Sequence, residues 1–158
     1  MKLNRTLKYI PKFLIAFTIL MLLTSCDNKT EAIDYGQDEC AFCTMRINND
    51  KYSAKLVTSQ GELYKFDSIE CLTDFALVKN YVNDTEKSFM ISDYDSPGNF
   101  IDSRSSMFVH NNNFPSPMGL NVMAFDSKEM ADKFMKENGG ELMLWNDIID
   151  LVRKRSEY

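Results

Sequence analysis

Imidazole is nearly absent: His110 is the single histidine in 158 residues. With one histidine and only one Cys-x-x-Cys, Cys40 to Cys43, the second ligand pair of an ordinary zinc site is missing. No nucleophile triad, phosphate-binding loop or isolated acid–base carboxylate pair stands out either. Positive charge is also in deficit, with 18 Lys+Arg against 23 Asp+Glu and a formal charge of −5. That balance argues against a nucleic-acid partner. The apolar run at 13–23 is 11 residues long, too short for a bilayer core that needs roughly 20.

That run has another reading. Lys2, Arg5, Lys8 and Lys12 precede it, so residues 1–25 have the make-up of an export signal. The stretch Leu23-Thr24-Ser25-Cys26 that follows resembles the lipobox of bacterial lipoproteins, which implies cleavage before Cys26 and lipidation of its sulfur. The expected product is a chain of 133 residues, 26–158, held to a bacterial membrane on its periplasmic or extracytoplasmic face. Loss of the four leader cations leaves 14 Lys+Arg against 23 Asp+Glu, a formal charge of −9. This length suits one domain with a modest core.

Residues 26–38 are polar and without apolar periodicity, as expected of a flexible tether, and the domain is expected over 39–158. In 51–58, Tyr52, Ala54 and Leu56 alternate with polar neighbours; Ser59-Gln60-Gly61 supplies a turn, and 62–66 is the returning strand. Asp67, with Glu70 three residues later, predicts a capped helix to about Lys79, buried through Ile69, Leu72, Phe75 and Ala76. Strands are expected at 89–94, 106–110 and 118–125, and a turn at Asp95-Ser96-Pro97-Gly98. Phe125-Asp126-Ser127-Lys128-Glu129 matches Phe66-Asp67-Ser68-Ile69-Glu70 at an offset of 59, and Gly139-Gly140 closes the second helix. The expected architecture is α+β: two similar ββα modules packed as one small domain.

The chemistry sits in the sulfurs. With Cys26 assigned to lipid, Cys40, Cys43 and Cys71 remain for an oxidising compartment, an odd number that no disulfide set can use up. One bridge, of Cys40 or Cys43 with Cys71, leaves a thiol over. If 43–45 is extended, Cys43 and Met45 project from the same face and aim two soft sulfurs at one ion. Such donors favour Cu(I) over harder cations. Cys71 falls in the first turn of the predicted helix, where free amides favour a thiolate and Asp67 and Glu70 oppose it. Metal binding, thiol–disulfide exchange through Cys40 and Cys43, and a structural disulfide all remain open at this level. His110 and Met118 are further candidate donors, the latter at the start of its predicted strand.

The order Asp38-x-Cys40-x-x-Cys43-x-Met45-x-Ile47, then Phe66-Asp67, then Pro117-Met118-Gly119 ahead of Ala124-Phe125, resembles the NosL family of nitrous oxide reductase accessory lipoproteins. The resemblance runs from about residue 38 to 151. It implies two small modules related to the organomercurial lyase fold and a non-enzymatic Cu(I) chaperone. Its partner is an apo-cuproenzyme such as nitrous oxide reductase, or its copper-loading machinery. The family's Cys-x-Met falls on Cys43 and Met45, and its Pro-Met-Gly methionine on Met118. Thr44 stands where the family pattern usually has glycine. Cys40 and Cys71 add to the minimal pattern, as further copper ligands, as a disulfide, or as an adaptation to another client.

Overall fold

A computed structural model describes residues 32–156. The expected export signal and Cys26 lie outside the described residues. Packing starts at Ile33, which is 7% exposed in the main core, inside the stretch expected as a tether. The Gly36 amide donates to the Ile47 carbonyl at 2.8 Å and fastens this segment to the body.

The fold is a small mixed α/β domain with two antiparallel sheets and, among the described residues, three helices. The first sheet has the order β2-β1-β3-β4, from β1 (Ala54–Val57), β2 (Leu63–Phe66), β3 (Ser88–Ser92) and β4 (Phe100–Asp102). Helix α1 (Ile69–Val78) follows β2. The second sheet, β6-β5-β7, comprises β5 (Met107–His110), β6 (Val122–Phe125) and β7 (Glu141–Met143). Helix α2 (Lys128–Asn138) follows β6, and α3 (Trp145–Ser156) ends the described chain and packs on α1.

Alternation along the second sheet explains how one chain fills two cores. Phe108, Val122 and Ala124 face the main core with α1, α3 and the first sheet, whereas Val109, Met123 and Phe125 face a smaller aromatic cluster under α2. Here Tyr94 and Phe134 pack edge to face at 5.7 Å, and Phe114 and Phe134 at 4.9 Å. Both faces of β6 are buried.

Four local expectations change. Ser68, not Asp67, caps α1: its side chain accepts from the Cys71 amide at 3.4 Å. Ser127 does the same for Met130 in α2, at 3.3 Å. Lys55 is buried rather than solvent-facing, because Phe100 covers it with its ring 3.9 Å from the ammonium. Strand β6 starts at Val122, not near 118. Residues 116–121 form a turn instead, in which the Ser116 hydroxyl accepts from the Asn121 amide at 2.9 Å and Asn121 takes φ 60°. Met118 therefore belongs to a turn.

Candidate metal centre

Two segments meet at the site, the loop 40–45 and the start of α1. The loop is not extended. The Thr44 amide reaches back to the Cys40 carbonyl at 3.0 Å and the Cys40 amide to the Met45 carbonyl at 2.8 Å, so 40–45 closes on itself. Closure puts Thr44 at φ 63°, a left-handed conformation unusual for a β-branched residue and suited to glycine. Ala41 donates to the Lys65 carbonyl at 2.8 Å, which holds the loop against β2. Immediately past β2 the chain delivers Asp67, and the Ser68 cap then sets Cys71 in the first turn of α1.

Thus Cys40 Sγ, Cys43 Sγ, Cys71 Sγ and a carboxylate oxygen of Asp67 all lie within 4.8 Å of one another. All three cysteines are unbridged. Cys40, Cys71 and Asp67 are buried and Cys43 is half-buried, so the approach from solvent is over Cys43. The Cys43 thiol donates to Asp67 Oδ2 at 3.6 Å, while Asp67 Oδ1 is buried without a hydrogen-bond partner.

Electrostatics distinguish the three sulfurs. A hydrogen bond from the Cys71 thiol lowers Cys40 from 9.0 to about 6, against its burial; the amides of Cys43, Asp67 and Phe42 also donate to its sulfur. Cys71 is pushed up by donating to Cys40, then by burial and by the Asp67 carboxylate. Burial raises Cys43 to about 11, although the Met45 amide donates to its sulfur. At Cys71 the opposition expected from Asp67 outweighs the helix-terminus amides. Cys40 is the thiolate instead, because it collects donors from both segments, while Cys71 keeps its proton and donates it in a hydrogen bond to Cys40.

The other predicted donors are placed differently. Met45, two residues beyond Cys43 in the chain, is 47% exposed. Met118 is half-buried against the main core, and its carbonyl accepts from Arg155 at 3.3 Å. His110 pairs with Val122 and Glu141 across the second sheet and is not in the thiol–carboxylate cluster. Asp67 is the member that sequence reasoning assigned elsewhere, as a helix cap. The signal for it was the serine that follows: Ser68 and Ser127 each precede their helices, which frees Asp67 to turn toward the sulfurs.

What the site can do chemically is bind a thiophilic ion with preformed soft donors, reached from one side. No curated protein matches the chain. Among solved structures it is similar to the copper chaperone NosL from Shewanella denitrificans, with a TM-score of 0.62 and 26% identity over 75% of this chain and 94% of that one. The model of the NosL family matches residues 33–152. The chain belongs to the NosL family.

Proposed function

We propose that this protein carries Cu(I) as cargo outside the cytoplasm, tethered through lipidated Cys26, and hands it to a cuproenzyme such as nitrous oxide reductase or to its loading machinery. The observation that carries this reading is the gathering of three free thiols within 4.8 Å, with Cys43 facing the approach. Cu(I) prefers few, soft donors. Cys43 is the receiving ligand, Met45 a neighbouring thioether at the rim, and Met118 a further thioether from the 116–121 turn. Cys40 and Cys71 stand behind as thiolate reserve. A rim of soft donors passes the ion by stepwise ligand exchange, because each bond to the carrier breaks as one to the recipient forms.

The chemistry needs no turnover of a substrate. As a thiol–disulfide oxidoreductase the chain is poorly set up: its reachable sulfur, Cys43, is raised to about 11, and its most acidic, Cys40, is 2% exposed. The hairpin and serine-capped helix that occur twice, 59 residues apart, support a reading of the domain as two similar ββα modules. On that reading the first module supplies the cysteines and the second supplies Met118.

The test is titration of the reduced full chain with Cu(I) against a competing chelator. A one-to-one complex that Cys43→Ser weakens by roughly 10–100-fold is expected. Unchanged affinity in Cys43→Ser rejects the assignment.

A further inference from the structure

Lys55 carries a charge that nothing in the described chain balances. It lies in β1 opposite Lys65 of β2 and Met90 of β3, and it is 4% exposed. Its neighbour Lys65 has Asp38 at 2.7 Å. Asp102, beyond Met90 in the same cross-strand row, accepts from the Arg104 amide at 2.7 Å instead. Among the described residues Lys55 has no carboxylate and no hydrogen-bond acceptor; its ammonium meets the Phe100 ring, 3.9 Å from the centroid. A ring face offsets part of the cost of desolvating an ammonium but leaves its N–H donors unused. An interior cation without a counter-ion is costly. With 23 Asp+Glu against 18 Lys+Arg, the chain does not leave it unpaired for want of carboxylates.

A cavity of about 360 Å³ opens beside this lysine, which lines it together with Ile33, Tyr35, Met90, Gly98 and Phe100. We propose that the cavity binds a monoanionic amphiphile, with the Lys55 ammonium holding a single oxyanion head and Ile33, Met90 and Phe100 receiving the apolar body. Its volume falls in the range of small-molecule sites, which set a few polar groups in mostly apolar walls. Lys55 is the one charged group among the described residues that line it. The other polar groups there are already engaged, the Tyr35 hydroxyl with Ser53 Oγ at 2.9 Å and the Gly98 amide with Ser92 Oγ at 2.9 Å. One cation and so few spare donors suit a single negative charge, not a dianion such as inorganic phosphate. Burial and then the charge of Lys65 both lower the pKa of Lys55, and an anion in the cavity relieves both.

The place of the cavity bears on where such a ligand comes from. Ala32 also lines it, six residues after Cys26, a reach of roughly 20 Å for extended chain. On the lipid-anchored reading the cavity lies that close to the bilayer, so the head group of an anionic lipid is one source. A free carboxylic acid is the other. The site itself depends neither on the anchor nor on copper.

The experiment titrates octanoate into the reduced full chain, followed by calorimetry and by urea denaturation. The expected result is one equivalent bound, with a denaturation midpoint that rises with octanoate concentration. Octanol, which has the same apolar body without the charge, and inorganic phosphate are each expected to bind at least about tenfold more weakly. Lys55→Met keeps the apolar stem and removes the ammonium; it is expected to weaken octanoate by at least about tenfold and to leave Cu(I) affinity unchanged. Met90→Trp fills the cavity with the ammonium still in place and is expected to weaken octanoate similarly. Octanoate binding that both variants leave intact overturns the proposal, as does octanol binding as tightly as octanoate, or no binding of octanoate at all. Displacement of octanoate by dihexanoyl phosphatidylglycerol and not by dihexanoyl phosphatidylcholine supports the site with a lipid source; octanoate binding that neither displaces supports it with a free acid as source. A chain that binds octanoate and fails to bind Cu(I) supports this site and contradicts the carrier reading.

Discussion

Glu70, fully buried in the first turn of α1, accepts a hydrogen bond from the amide of Leu120 at 2.9 Å. The Ser116 hydroxyl donates to the same oxygen, so one carboxylate holds both ends of the turn that contains Met118. Arg155 adds a second tie, bonding the Met118 carbonyl at 3.3 Å and Asp74 of α1 at 2.8 Å. The helix that carries Cys71 therefore also fixes the backbone around Met118. Through these bonds the two halves of the chain are tied together across α1.

Removal of that carboxylate leaves the Leu120 amide and the Ser116 hydroxyl unpaired in the interior. Glu70→Ala is expected to lower stability by about 2–4 kcal/mol, and Glu70→Gln by less, because it keeps an acceptor. Urea denaturation of the two variants measures this. A loss below about 1 kcal/mol in Glu70→Ala contradicts the assigned clamp.

Thr44 is held at φ 63°, where a β-branched residue is strained and glycine is not. Thr44→Gly relieves that strain at some entropic cost in the unfolded chain. A net gain of about 1 kcal/mol is expected, with metal binding preserved. Denaturant midpoints give the answer, and a loss of stability means that the threonine side chain itself holds the loop.

The thiols make stability pH-dependent. Cys40 is lowered from 9.0 to about 6 in the folded chain, so the stability it contributes is present above the unfolded value and is lost as pH falls through about 6. Cys43 is raised to about 11, so its contribution is full below 9.0 and disappears as pH rises toward 11. The reduced, metal-free protein is expected to gain stability from about pH 6 to 9 and to lose it above. Cys40→Ser should abolish the rising limb, as followed by denaturation across a pH series. A limb retained in that variant assigns the titration to another group.

Much of the fold was legible because its signals are local. Alternation around Tyr52, Ala54 and Leu56, the Gly61 turn, and the stripe Ile69, Leu72, Phe75 and Ala76 mark β1, β2 and α1 through short-range pattern. Strands β4 and β7 escaped because each is 3 residues long and too short to display a period. Helix α3 escaped although Trp145, Ile148, Ile149 and Val152 bury one face of it, because its start carries no cap signal as plain as Ser68 or Ser127. In the site, Cys40, Cys43 and Cys71 could be named from chemistry alone. Two features could not. The position of Asp67 beside the sulfurs depends on which of two adjacent polar residues caps the helix, and the closed form of 40–45 depends on Thr44 adopting a conformation its side chain disfavours.

The central claim is that the sulfurs at this centre take Cu(I) and remain within reach of a recipient. X-ray absorption on the Cu(I)-loaded, reduced full chain tests it most directly. Sulfur scatterers alone around copper, fewer in number or longer in distance after Cys43→Ser, is the predicted result. Imidazole scattering from His110, or a copper environment that Cys43→Ser leaves untouched, contradicts it.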